Sequence, residues 1–157
     1  MAQYNAHNLQ AGSPQLLTST AKTIVNISAA TATLRRAFIY EAIFGAAQVP
    51  NAVDCEIVWD FVRTNTSVGT GTSVTPSPLD AADAAAGSVG TVNNAAEPTI
   101  GVSLDVIAIN QRNSQRWLAR DDKSRLVVPA INLNGISLRA KSSTYANIVL
   151  ASVKFDE

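Results

Sequence analysis

The stretch Val53-Asp54-Cys55-Glu56-Ile57-Val58-Trp59-Asp60-Phe61-Val62 decides the fold. Val53, Cys55, Ile57, Trp59 and Phe61 share one parity, while Asp54, Glu56, Val58, Asp60 and Val62 share the other. A helix would scatter the large residues around its axis. A strand sets successive side chains on opposite faces, so the large ones line a single core face. The spacing therefore predicts a strand, with Trp59 in the core and Cys55 as a small buried hydrophobe. A ligand platform is the competing role for Trp59.

The same period extends in both directions. Lys22 to Ser28 reads as a strand carrying Ile24, Val25 and Ile27. Leu34 to Phe44 is a long apolar stretch in which Phe38, Tyr40, Ala42 and Phe44 share one parity, and Ile39 and Ile43 the other. It reads as a central or interface strand, and a helix competes because Arg35, Arg36, Ala37 and Glu41 suit one. Beyond the deciding stretch, Ile100, Val102, Leu104, Val106 and Ala108 alternate with Gly101, Ser103 and Asp105. Gln115 to Ala119 and Leu126 to Val128 are short strand candidates. Asn134-Gly135 is a turn signal before a strand with Ile136, Leu138 and Ala140 inside. A last strand spans 146–155, with Val149, Ala151, Val153 and Phe155 on one face and Ile148 and Leu150 on the other.

Two regions lack this period. Residues 1–20 are polar and small, and read as a frayed terminus or an arm ordered against a neighbouring subunit, anchored by Tyr4, Leu9, Leu16 and Leu17. Residues 64–98 read as a long loop. Within it, Asp80 is placed to cap a short helix over Ala81, Ala82, Asp83, Ala84, Ala85 and Ala86, stopped by Gly87. The expected domain organisation is thus an arm at 1–20 and a body at 21–157. About eight strands with turns between them predict an all-β, jelly-roll-like β-sandwich. Strands do not alternate with helices, which disfavours a nucleotide-binding parallel sheet.

Composition narrows the function. The 157 residues include 12 Lys and Arg against 12 Asp and Glu, and only 15% are charged. A balanced, weakly charged chain is neither a basic nucleic-acid coat nor an acidic tail, and little repulsion keeps its copies apart. A single cysteine, Cys55, forms no intrachain disulfide. A single histidine, His7, in a polar leader argues against a histidine triad, a multi-histidine zinc site or a cupin metal centre. No apolar run reaches membrane-span length, and Met1 to Asn5 lacks the pattern of a signal peptide. No catalytic, cofactor-binding or metal-binding residues are expected.

Three charged groups remain. Arg112, Arg116, Arg120, Lys123 and Arg125, interrupted by Asp121 and Asp122, read as a solvated face with internal ion pairs, a docking patch for an acidic partner, or a weak phosphate site. Asp54, Glu56 and Asp60 lie about 7 Å apart along one strand face. That spacing mimics a glycosidase pair, although solubility or subunit pairing explains it more simply. Asp121-Asp122 offers oxygens for calcium but is one acidic pair only.

The order of features resembles small jelly-roll cement, or decoration, proteins of tailed-bacteriophage heads. The features are a polar leader, Thr23-Ile24-Val25-Asn26-Ile27, an apolar strand near Phe38, and Glu56-Ile57-Val58-Trp59-Asp60. Then come Gly69-Thr70-Gly71-Thr72-Ser73-Val74-Thr75-Pro76, Glu97-Pro98-Thr99, and Asn134-Gly135-Ile136-Ser137-Leu138-Arg139 ahead of the C-terminal strand. The likeness covers most of residues 20–157 and is one of pattern and turn wording. It implies a virion protein on the outer capsid surface, assembled in the bacterial cytoplasm, that bridges capsomers of the major capsid protein. It further implies dimers or trimers, no cofactor, and no direct contact with nucleic acid or membrane. The arm at 1–20 and the loop at 64–98 would be the clamps. A tail, fibre or baseplate protein is the nearest alternative. A carbohydrate-binding sandwich, using Trp117, is a further one.

Overall fold

In the computed structural model, which describes residues 1–12 and 14–157, the chain forms two antiparallel sheets packed face to face. In chain order the strands are β1 (Gln3–His7), β2 (Gln15–Leu16), β3 (Lys22–Ala29), β4 (Ala37–Ala46), β5 (Glu56–Thr64), β6 (Thr70–Val74) and β7 (Ser77–Pro78). They continue as β8 (Ser88–Ala96), β9 (Ile100–Asn110), β10 (Ser114–Leu118), β11 (Leu126–Val128), β12 (Gly135–Lys141) and β13 (Ile148–Asp156). The seven-stranded sheet runs β10-β4-β13-β1-β7, with β11 also on β4 and β2 also on β13. The six-stranded sheet runs β6-β8-β3-β12-β5-β9. The sheets do not close into a barrel. Among the described residues, no helix is long and apolar enough to cross a membrane.

The deciding stretch behaves largely as its alternation predicts. Ile57, Trp59 and Phe61 are fully buried. Trp59 stacks at a tilt on Phe44 of β4 (centroids 4.6 Å apart), and Phe61 meets Trp117 of β10 at 5.1 Å. This aromatic row joins the two sheets, and such pairs add about 0.5–1.5 kcal/mol each beyond area burial. The strand begins later than expected, at Glu56. Val53 is 79% exposed and Cys55 is only half-buried at the core margin, because both precede the ladder.

Leu34 to Phe44 is extended rather than helical, as β4. Its parity switches midway. Lys154 pairs with Glu41 and the next residue, Phe155, pairs with Ile39, leaving Tyr40 as the extra residue of a bulge. Ile39, Ala42 and Phe44 therefore all face the core, while Phe38 does not. A bulge is set by the partner strand, so alternation alone misassigns the residues before it. β9 fails in the same way. Its register against β5 slips twice, between Phe61 and Val62 and again before Thr64. Val102 (68% exposed), Val106 (57%) and Ala108 are consequently open to solvent, and Ile109 is the buried member.

The two aperiodic regions are part of the body. Residues 3–7 are not an arm. They form β1, which lies between β13 and β7 and buries Tyr4 and Ala6. The 64–98 region is not one loop. β8 runs through it between β6 and β3, with its small residues packed on both faces. Nor does the alanine run form a helix. Asp80 accepts a hydrogen bond from Ala82 N (2.9 Å) and closes one turn that goes no further. So few residues cannot offset the cost of helix nucleation.

The Asn134-Gly135 signal also acts differently from a two-residue hairpin. β11 belongs to one sheet and β12 to the other, so the turn is a crossover, and Leu133 rather than Gly135 takes the left-handed conformation (φ 63°). Gly135 is required for another reason. A Cβ there would collide with the carbonyl oxygen of Ile27 and crowd Asn26 Oδ1 and Thr64 Oγ1. Asn26 is fully buried and accepts from Thr64 Oγ1 (3.2 Å) and Ser137 Oγ (3.0 Å), so the close approach of β12 satisfies a polar group no water reaches.

Candidate functional site

The sequence-predicted charged groups do not converge. Asp54 is held by Arg112 Nε at 2.6 Å, at the exposed β9–β10 corner. Glu56 is exposed. Asp60 is bound by Arg139 (2.6 Å) and accepts from Ser103 Oγ (2.6 Å). Asp54 and Glu56 border the same open hollows beside Cys55, whereas Asp60 lies apart in a hollow it shares with Arg139. The basic cluster is likewise split among ion pairs. Arg116 goes to Glu41, Arg125 goes to Asp122 and Asp156, and Arg120 and Lys123 stay in solvent. Asp121 caps a short turn by accepting from Lys123 N and Ser124 N. Among the described residues no three His, Cys, Asp or Glu side chains group as a metal site would need. Trp117 is half-buried, and its Nε1 donates to Asp105 Oδ2 at 2.9 Å, so its ring and its polar edge both serve the fold.

What the fold does assemble is one broad surface on the outside of the seven-stranded sheet. Register dictates its members. Leu150 lies beside Gly45, Ser152 beside Ile43, and Lys154 beside Glu41. β10 extends the rows with Ser114, Arg116 and Leu118. β1 adds Asn5 and His7, and β2 sets Leu16 opposite Ile148. Leu9 (50% exposed), Leu16 (56%), Ile43 (41%) and Leu118 (55%) thus share one side of the molecule with the half-buried Ile148 and Leu150. Gly45 supplies no side chain, and a shallow hollow of about 260 Å³ lies alongside, lined by His7, Leu9, Leu150 and Ser152. Single exposed leucines are ordinary, and only a contiguous apolar patch makes a face a candidate for contact.

No family model, curated protein or solved structure matches this chain. The surface is bordered by charge. At its border Glu41, nearly buried, accepts from Arg116 Nε (2.8 Å) and Lys154 Nζ (3.2 Å). Burial raises the Glu41 pKa, but the hydrogen bonds and charges of Arg116 and Lys154 outweigh it, and the net shift is below the ordinary 4.5. A depressed carboxylate stabilises the fold above its unfolded-state value, and that contribution is lost as pH falls through the folded value. The melting temperature of the protein is expected to drop on the acid side of about pH 4.5. Glu41→Gln should show a shallower acid limb in a melting series from neutral to pH 3. Equal slopes in the two proteins would count against this clamp.

The sequence marks Leu9 and Leu16 as candidate anchors, but it does not show that these residues join one surface. Ile148 and Leu150 stand out as the second face of the last strand. Leu9, Leu16, Ile43 and Leu118 come from four separate segments, and only sheet order brings them together. A further signal is the pair of apolar parities in 146–155, which leaves apolar side chains on both faces of that strand.

Proposed function

We propose that this protein is a structural component of a virion that binds the outer surface of a tailed-phage capsid and bridges neighbouring capsomers, acting by adhesion rather than catalysis. The observation that carries the reading is the broad face of the seven-stranded sheet, where the exposed Leu9, Leu16 and Ile43 and the half-buried Ile148 and Leu150 share a side with the Glu41–Arg116–Lys154 ion cluster. A two-sheet body that offers a broad surface of mixed apolar and charged groups suits a partner that is itself large. Interfaces of roughly 1,200–2,000 Å² suffice for specific docking. Many copies on one head add avidity. The likeness in turn wording to head cement proteins supplies the partner, the major capsid protein, and favours a jelly-roll connection of the strands. Because residues 3–7 are locked into the sheet, the clamps proposed here are sheet surfaces and not a loose arm.

The test is addition of purified protein to expanded heads that lack it. Electron microscopy should show new density between capsomers, and the heads should resist higher temperature. Leu9→Glu and Ile43→Glu, at exposed positions, should each weaken binding by about tenfold or more while melting like the parent protein. Heads unchanged by the parent protein would overturn the proposed role. Binding by the two variants equal to that of the parent would overturn the assignment of this face.

A further inference from the structure

The six-stranded sheet ends on β9, its longest strand at 11 residues, and among the described residues no strand pairs with the outer side of β9. The opposite end of that sheet is β6, five residues long, and the seven-stranded sheet ends in β10 and β7, of five and two residues. Soluble proteins protect exposed edges by shortness, proline, outward charges or bulges, because a free ladder of N–H and C=O groups templates another strand. β9 uses that protection only in its first half, where both register slips fall. From Asp105 to Asn110 it pairs residue for residue with Phe61 to Glu56 and is a regular edge. This half contains no proline and no lysine. Its one charge, Asp105, is engaged by Trp117 Nε1. On the outer face stand Val106, 57% exposed, and Ala108, also exposed.

We propose that this edge is the site of self-association, in which a second copy adds its own β9 antiparallel across a two-fold axis at Ile107. The occupant follows from self-complementarity. With the axis at Ile107, Val106 of each copy lies opposite Ala108 of the other, and Asp105 lies opposite Ile109. No pair of like charges meets. On the same face Val58 and Val106 border a hollow of about 160 Å³ together with Asp60, Arg139 and Lys141, and Asp60 is already paired with Arg139, so the flank of the joined strands is mixed and internally neutralised there. The formal net charge of zero adds no long-range repulsion between copies. The described N-terminal segment does not compete for the edge, since β1 is already paired on both sides in the other sheet. Pairing at β9 joins the two six-stranded sheets into one continuous sheet and leaves the broad face of each seven-stranded sheet open. The proposal does not rest on capsid binding and is tested without capsids.

Sedimentation of the parent protein across a concentration series up to about 100 µM should show a monomer–dimer equilibrium. The double variant Val106→Lys/Ala108→Lys places lysine opposite lysine twice and should raise the dissociation constant by about tenfold or more. Val106→Lys/Ala108→Glu places lysine opposite glutamate twice in this register and should restore dimers at low salt. Thermal melts of both variants at low concentration report that the monomer stays folded. The proposal is overturned by a parent protein that is monomeric throughout, by a Lys/Lys variant that dimerises like the parent, or by a Lys/Glu variant that dimerises no better than Lys/Lys.

Discussion

Replacing Trp59 by alanine is expected to lower the unfolding free energy by about 3–5 kcal/mol. For a domain of this length that is a fall in melting temperature of roughly 6–20 °C. Trp59 is the largest fully buried side chain, and it bridges the sheets through Phe44 at 4.6 Å. Truncation removes its transfer energy and leaves a cavity that two rigid sheets do not collapse to fill. A companion variant separates packing from polarity. Trp59 Nε1 is buried and has no hydrogen-bond partner among the described residues. Trp59→Phe discards that unsatisfied donor along with part of the ring, so its loss should be much smaller, about 1–2 kcal/mol. Urea titrations of the three proteins provide the comparison. A phenylalanine variant as unstable as the alanine one would show that the indole N–H contributes to the fold.

Asn8→Ala is expected to destabilise the protein by about 2–5 kcal/mol, although it removes little apolar surface. Asn8 is fully buried just after β1 ends. Its Nδ2 donates to Val149 O at 2.9 Å, and its Oδ1 accepts from Ala151 N at 2.9 Å. The side-chain amide thus continues the ladder of β13 where the backbone of β1 has turned away. Its backbone oxygen also accepts from Asn93 Nδ2 (3.2 Å) in β8, which ties this corner to the other sheet. Alanine leaves one buried N–H and one buried C=O without partners, and each costs about 1–3 kcal/mol. Asn8→Asp keeps the acceptor, loses the donor and places a carboxylate against the Val149 carbonyl, so it should be no milder. Equilibrium unfolding in urea measures both. An alanine variant within about 0.5 kcal/mol of the parent would mean that water or a backbone shift replaces the amide.

The two substitutions mark opposite ends of what the sequence discloses. Trp59 is legible as core because it sits in an unbroken alternation whose other members, Ile57 and Phe61, are also large. Asn8 is not, since nothing in a polar leader says that one amide will be buried as a backbone surrogate. The charged residues divide similarly. That Arg112, Arg116 and Arg125 find acidic partners is consistent with the interrupted charge run. That the partner of Arg116 is Glu41, 75 positions away, is a matter of strand order. The candidate surface is less legible than the fold, because its leucines and isoleucines come from distant segments.

From the sequence alone came the all-β class and the strand character of most of 53–62 and 146–155, realised as Glu56–Thr64 and Ile148–Asp156, with the inward face of each. These depend on a side-chain period of two and on residue chemistry, both of which are local. Tertiary structure alone decided that the leader is strand β1, that β8 runs through the expected loop, where β4 and β9 bulge, and which apolar residues are left on an open face and an open edge. Hydrogen-bond register is a property of two strands at once, and a single slip between partners reverses the facing of every residue beyond it.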